Sequence, residues 1–191
     1  MIKIKDYINN NYNISGNLTF ENINEIYVVN CDSDVEVKNK KIIKLIDGFV
    51  WGEVKGDFDC SECKNLKSLE GAPKKIGGYF DCSNCTKLES LEGAPKEVKG
   101  DFYCTRCTKL ESLEGSPEKV GEDFDCSDCP NLKALEGAPK EVRGSFICIN
   151  CTNLESLKGA PREVGSFYCS LCSKLISLKE IPKYINNDFL R

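Results

Sequence analysis

The stretch FYCTRCTKLESLEGSPEKVGED, residues 102–123, decides the fold, because the chain repeats its apolar letters in place on both sides of it. Phe58, Phe80, Phe102, Phe124 and Phe146 stand 22 residues apart, and Phe167 follows after 21. Each opens the pattern Phe-x-Cys-x-x-Cys-x-x-Leu-x-x-Leu, and a turn of the Glu-Gly-Ala-Pro kind usually follows. Three residues beyond each proline comes a branched aliphatic: Ile76, Val98, Val120, Val142, Val164 and Ile185. Six copies in register make internal repetition the dominant signal in the chain.

The period has a direct physical meaning. Alternation at Phe102 and Cys104 sends both side chains to one face of a short strand. Leu110 and Leu113 return apolar side chains to the same interior, and Gly115 and Pro117 block an α-helix on the way back. A coil of 22 residues cannot bury its own apolar face. Stacked coils can, with like residues about 4.8 Å apart in a parallel sheet and continuous columns inside it. The predicted fold is an all-β-rich repeat solenoid with a parallel sheet on one face and little or no helix on the other.

Three segments follow. Residues 55–178 hold the six repeats. Residues 1–54 are an N-terminal cap with degenerate repeats: Val35, Val37, Ile43, Ile46 and Gly48 keep the spacing without cysteines, and Leu18 and Phe20 suit an earlier strand. Ile4, Tyr7, Ile8 and Tyr12 have helical spacing, which predicts a short amphipathic helix over the first coil. Residues 179–191 are a C-terminal cap or truncated repeat, because Phe189 starts another copy. A solenoid needs atypical ends to protect its sheet edges.

Composition removes several classes. Lysine and arginine number 26 against 30 acids, a net charge of -4, which argues against direct nucleic-acid binding. No run approaches a membrane span, and Met1 to Asn13 lacks the continuous apolar stretch of an export signal. Thirteen cysteines without such a signal point to a reducing, cytoplasmic setting. The chain has no histidine, so a Cys-His or Ser-His nucleophile cannot be assembled. No phosphate-cradling glycine loop is present, and neither an enzyme nor a cofactor is expected.

The pattern Phe-x-Cys-x-x-Cys-x-x-Leu resembles the leucine-rich-repeat core, with the second cysteine where that family places Asn or Cys. The Leu-x-x-Leu…Pro-x-x-Val portion is similar to the short bacterial repeats of secreted effectors, of BspA-like surface proteins and of phage-encoded repeat proteins. This likeness covers roughly residues 35 to 189 and implies a right-handed coil. It departs from the effectors in leaving no residues for a ubiquitin-ligase domain, and from the surface proteins in lacking an export signal.

The cysteine pairs admit more than one use. Cys60/Cys63 with Cys82/Cys85 has zinc-ribbon spacing. The same pair recurs at Cys104/Cys107, Cys126/Cys129, Cys148/Cys151 and Cys169/Cys172, locked to the Phe and Leu columns. The first of each pair then acts as a small hydrophobe, and the second turns its S–H towards a backbone carbonyl. Zinc binding and disulfides between stacked neighbours stand beside this structural reading. Cys31 lies outside the pattern.

Partner information must sit in the variable columns. The residues after each Phe are Asp59, Asp81, Tyr103, Asp125, Ile147 and Tyr168. Those before it are Asp57, Tyr79, Asp101, Asp123, Ser145 and Ser166. Acids interleaved with tyrosine give way to Ile147, Ile149, Tyr168 and Leu171, predicted to lie adjacent and exposed on one face. Such a cluster marks an interface, or a place covered by the cap or a second copy. The acids could hold calcium, meet a basic partner surface or simply be solvated. The expectation is a protein-binding scaffold acting by surface occlusion, with an inhibitor of a host defence enzyme carried by a phage or mobile element as one version. A homodimer through the C-terminal end and a zinc-loaded scaffold are the alternatives.

Overall fold

The computed structural model describes residues 1–190, and Arg191, the last residue of the 179–191 segment, lies outside the described residues. The chain winds as a β-solenoid of about seven turns. Helix α1 (Ile2–Asn11) leads into β1 (Tyr12–Ile14), β2 (Leu18–Ile23), β3 (Ile26–Cys31), β4 (Val35–Val37) and β5 (Val50–Val54). The regular coils then alternate a Phe strand and a Val or Ile strand. These are β6 (Phe58–Asp59), β7 (Lys75–Ile76), β8 (Phe80–Asp81), β9 (Glu97–Val98), β10 (Phe102–Tyr103), β11 (Lys119–Val120) and β12 (Phe124–Asp125). Two longer strands, β13 (Glu141–Ile147) and β14 (Glu163–Tyr168), precede the short β15 (Tyr184–Ile185) and β16 (Phe189–Leu190).

Two parallel ribbons result. In one, β4, β6, β8, β10, β12 and β13 pair in turn, so Phe58, Phe80, Phe102, Phe124 and Phe146 are register partners. In the other, β3, β5, β7, β9, β11 and β13 pair in turn through the Val and Ile positions. Sequence reasoning placed one sheet on one face; the return side carries this second ribbon as well. The ribbons fuse at β13 and β14, where one strand spans both positions. The 21-residue step from Phe146 to Phe167 is absorbed there, as an irregularity in pairing between Val142 and Ser145.

The core is the set of columns the period demands. The rings of Phe58 through Phe167 stack with centroids 5.1 to 5.6 Å apart and planes within 14°. All six are fully buried. Each contributes roughly 1.5–3 kcal/mol of transfer free energy, and aromatic contact adds about 0.5–1.5. The turn glycines Gly71, Gly93, Gly115, Gly137 and Gly159 have φ of 85 to 90°, a left-handed region that favours glycine. At Gly115 a Cβ would also stand 2.5 Å from the Cα and N of Glu92, so the coils approach too closely there for a side chain.

At the N-terminal end α1 buries Ile4 and Ile8, as their helical spacing predicts. Tyr12, immediately after the helix, is buried and donates its hydroxyl proton to the Leu45 carbonyl. Strand β1 runs antiparallel on β4, and β2 forms an antiparallel hairpin with β3. The first coil corrects the sequence register. Ile43 is 71 % exposed, and Ile42 and Leu45 occupy the core instead, with Ile46 only partly buried against it. The physical reason is spacing: Val35 to Ile42 is one residue shorter than Phe58 to Leu66, so the apolar face arrives one residue early. Cys31 pairs with Val54 and so heads the Val column. Among the described residues no helix is long and apolar enough to cross a membrane.

Candidate functional site

The outward face of the Phe ribbon holds the sequence-predicted residues. Its central column is in paired register throughout: Asp59 with Asp81, Asp81 with Tyr103, Tyr103 with Asp125, Asp125 with Ile147, and Ile147 with Tyr168. Tyr168 in turn pairs with Leu190, a member that sequence reasoning missed although the next Phe at 189 signals it. The inward Phe before each of these residues forces it outward, because strand side chains alternate.

The acids of this column have structural work. Asp59, Asp81 and Asp125 each accept a hydrogen bond at Oδ1 from the backbone N–H two residues on, at Ser61 (2.7 Å), Ser83 (2.7 Å) and Ser127 (2.8 Å). These are Asx turns, which bend the chain after the strand. The acids before each Phe bridge coils instead. Asp57 accepts from the Tyr79 N–H, Asp101 from Asp123 and Asp123 from Ser145, at 2.6 to 2.8 Å. Burial pushes the Asp81 and Asp125 carboxyls above the ordinary value of 3.8, against the pull of their serine hydrogen bonds. Tyr79 and Tyr103 lie with ring centroids 6.3 Å apart, and burial, then neighbouring aspartates, raise both phenols.

The last two coils change character, although three of the four residues expected to be exposed there are partly covered. Ile147, Ile149 and Tyr168 are half-buried, while Leu171 and Leu190 are 72 % and 60 % exposed. The structure therefore brings Ile147 and Tyr168 together and sets Leu171 furthest into solvent. Leu171 sits at a left-handed position, φ 59°, that recurs in every coil and is held elsewhere by Glu62, Asn84, Arg106, Asp128 and Asn150. Asn and Asp suit that conformation better than leucine does.

Behind this face the twelve paired cysteines form two internal columns, and all thirteen cysteines are buried thiols. From the second pair onward, the second cysteine donates its S–H to the carbonyl of the first in the preceding coil. Cys85 donates to Cys60, Cys107 to Cys82, Cys129 to Cys104 and Cys151 to Cys126, each at 3.3 Å, and Cys172 donates to Cys148 at 3.1 Å. Among the described residues no group of three or more Cys, Asp and Glu side chains is arranged to hold a metal ion. The opposite ribbon carries a charge ladder that sequence reasoning missed. Glu53, Lys75, Glu97, Lys119 and Glu141 alternate in register, with Lys119 and Glu141 ion-paired at 3.0 Å. Only the pairing across coils reveals it.

No protein-family model, curated protein or solved structure matches the chain.

Proposed function

We propose that this solenoid binds a partner protein through the outward face of the Phe ribbon, with its apolar end as the anchor and its acidic middle as the rim. One observation carries the reading: the register column Asp125, Ile147, Tyr168, Leu190 passes from acid to apolar beside a solvent-exposed Leu171 in a left-handed conformation. Fold stability does not account for Leu171. Its backbone costs roughly 1–2 kcal/mol there, and its side chain stays in water. A partner pocket that takes up the side chain gives that cost a use. Asp101, Asp123 and Asp125 lie beside the patch and favour a partner with basic residues around an apolar anchor site. In this reading the chain acts by occupying a surface and performs no chemical step. A blocker of a host defence enzyme, encoded by a phage or mobile element and working in the cytoplasm, is the version suggested by the acidic face and by the likeness to phage-encoded and effector leucine-rich repeats.

The test compares three immobilised proteins, the natural chain, Leu171→Asn and Ile147→Asp, against lysate of the native host. Asparagine relieves the backbone at 171, so Leu171→Asn is expected to unfold at a higher temperature than the natural chain while losing the partner. Ile147→Asp is expected to keep its far-UV circular dichroism and lose the same protein. A protein retained equally by all three contradicts the assignment of this face.

A specific feature favours self-association as a second reading. Strand β16 pairs only with β14 among the described residues, and Ile176, Tyr184 and Leu190 are exposed around it. Light scattering across a concentration series tests it: a dimer that Leu190→Asp dissolves supports this reading, and a monomer at every concentration removes it.

A further inference from the structure

The turn of the first coil differs from the turns that follow it. In later coils a proline stands three residues before the inward aliphatic, with Ala or Ser before it, as in Ala72-Pro73 and Ala94-Pro95. The first coil has Val50 and Trp51 in those places. The groove between these turns and the Val ribbon opens into cavities at both ends of the stack. The one between Ala138 and Glu163, about 500 Å³, is walled by glycine, alanine, proline and charged side chains. Its counterpart over the first coils, about 520 Å³, is walled by Ile46, Val50 and Trp51 together with Ala72 and Ala94. Lys74, Lys75 and Lys96 stand at its rim with Glu70 and Glu97, and all five are exposed. None of the five is in an ion pair among the described residues, whereas Lys119 and Lys158 have found Glu141 and Glu136. Three lysines against two glutamates leave the rim one positive charge in excess. Glu97 is the register partner of Lys75 and offsets it. Lys74 and Lys96 stand in adjacent coils, joined by the Lys96 N–H donating to the Lys74 carbonyl at 3.1 Å.

We infer that this cavity is a binding site for a small amphipathic monocarboxylate, its apolar body held against Ile46, Val50 and Trp51 and its carboxylate held at the rim by Lys74 and Lys96. An apolar wall with a few charged groups at its edge is the usual form of a small-ligand site. The two parts have separate tasks. Taking the body out of water supplies affinity, and the lysines select for negative charge. The cavity at Ala138 has the charged rim without the branched and aromatic wall, so the assignment is confined to the first coils. This site lies off the outward face of the Phe ribbon and does not rest on the proposed docking function.

Trp51 is the only tryptophan of the chain, so its fluorescence reports occupancy directly. The natural chain is titrated with octanoate and, separately, with 1-octanol, which has the same body and no charge. A saturable change with octanoate is expected, weakened by added salt and about fivefold tighter than that with octanol. Lys74→Gln combined with Lys96→Gln should weaken octanoate by about the same factor and leave octanol unchanged, a split that a damaged fold does not produce. Ala94→Leu, which fills the cavity, should weaken both ligands. Equal affinity for octanoate and octanol, or a double variant that keeps octanoate, overturns the inference and leaves an uncharged apolar group as the occupant. No saturation with either ligand overturns the site itself.

Discussion

The Cys107 thiol lies 3.3 Å from the carbonyl oxygen of Cys82, so the second cysteine of one coil closes a hydrogen bond onto the first cysteine of the coil before it. Repeated along the stack, this contact ties neighbouring turns together inside the core, where water cannot compete for the carbonyl. Cys107→Ala removes both the donor and the sulfur volume from a fully buried site. We expect a loss of roughly 1–3 kcal/mol, read as a lower urea midpoint under reducing conditions. Cys107→Ser keeps a donor while shrinking the side chain and should lose less. Equal losses for the two would show that volume alone matters at this position.

The glycine column makes a prediction of opposite sign at two of its positions. Gly115 combines φ 89° with a Cβ position 2.5 Å from the Glu92 backbone, which cannot move without parting the coils. Gly115→Ala should cost at least about 2 kcal/mol. Glu180 occupies the same place in the last full coil at φ 72° and bears the strain the glycines avoid. Glu180→Gly should therefore stabilise by about 1 kcal/mol. Thermal unfolding of the two variants measures both, and a stable Gly115→Ala would contradict the close approach of the coils.

What could be read from the sequence was whatever repeated. Phe102, Cys104, Cys107, Leu110, Leu113 and Val120 were legible because each has like residues 22 positions away, and a stack converts that period into columns. The donor role of the second cysteine was legible from its place at the turn. Ile42 and Leu45 were not, because their coil is shortened by one residue between strand and turn and has no periodic neighbour to reveal the slip. The aspartates were half legible. Asp59, Asp81 and Asp125 were read as a face presented to a partner, although Asp-Cys-Ser already carries the signature of a side chain that accepts from the amide two residues on. The strain at Leu171 was hidden, since Glu62, Asn84, Arg106, Asp128 and Asn150 share no single residue type and only the backbone shows that their position is left-handed.

The buried carboxyls give the molecule a pH dependence whose sign can be worked out. Burial raises Asp81 and Asp125 above 3.8, with Asp59 adding to the shift at Asp81 and Lys40 opposing it, and with Asp128 and Asp123 adding to it at Asp125. The folded chain therefore binds these protons at a higher pH than the unfolded chain does. Between 3.8 and the raised values the folded state holds more protons, so stability falls as pH rises through that window and is gained as pH is lowered into it. Asp32 acts in the opposite sense, because hydrogen bonds from Asn17 lower its carboxyl, and its contribution is lost only below 3.8. The paired change Asp81→Asn and Asp125→Asn keeps an acceptor for the Ser83 and Ser127 amides and removes the titration. We expect it to raise the unfolding temperature at neutral pH and to flatten the rise expected of the natural chain as pH approaches 3.8. Asp81→Ala, which also loses the Asx turn, should be less stable than the natural chain throughout. A double variant with the pH profile of the natural chain would place the dependence on other groups.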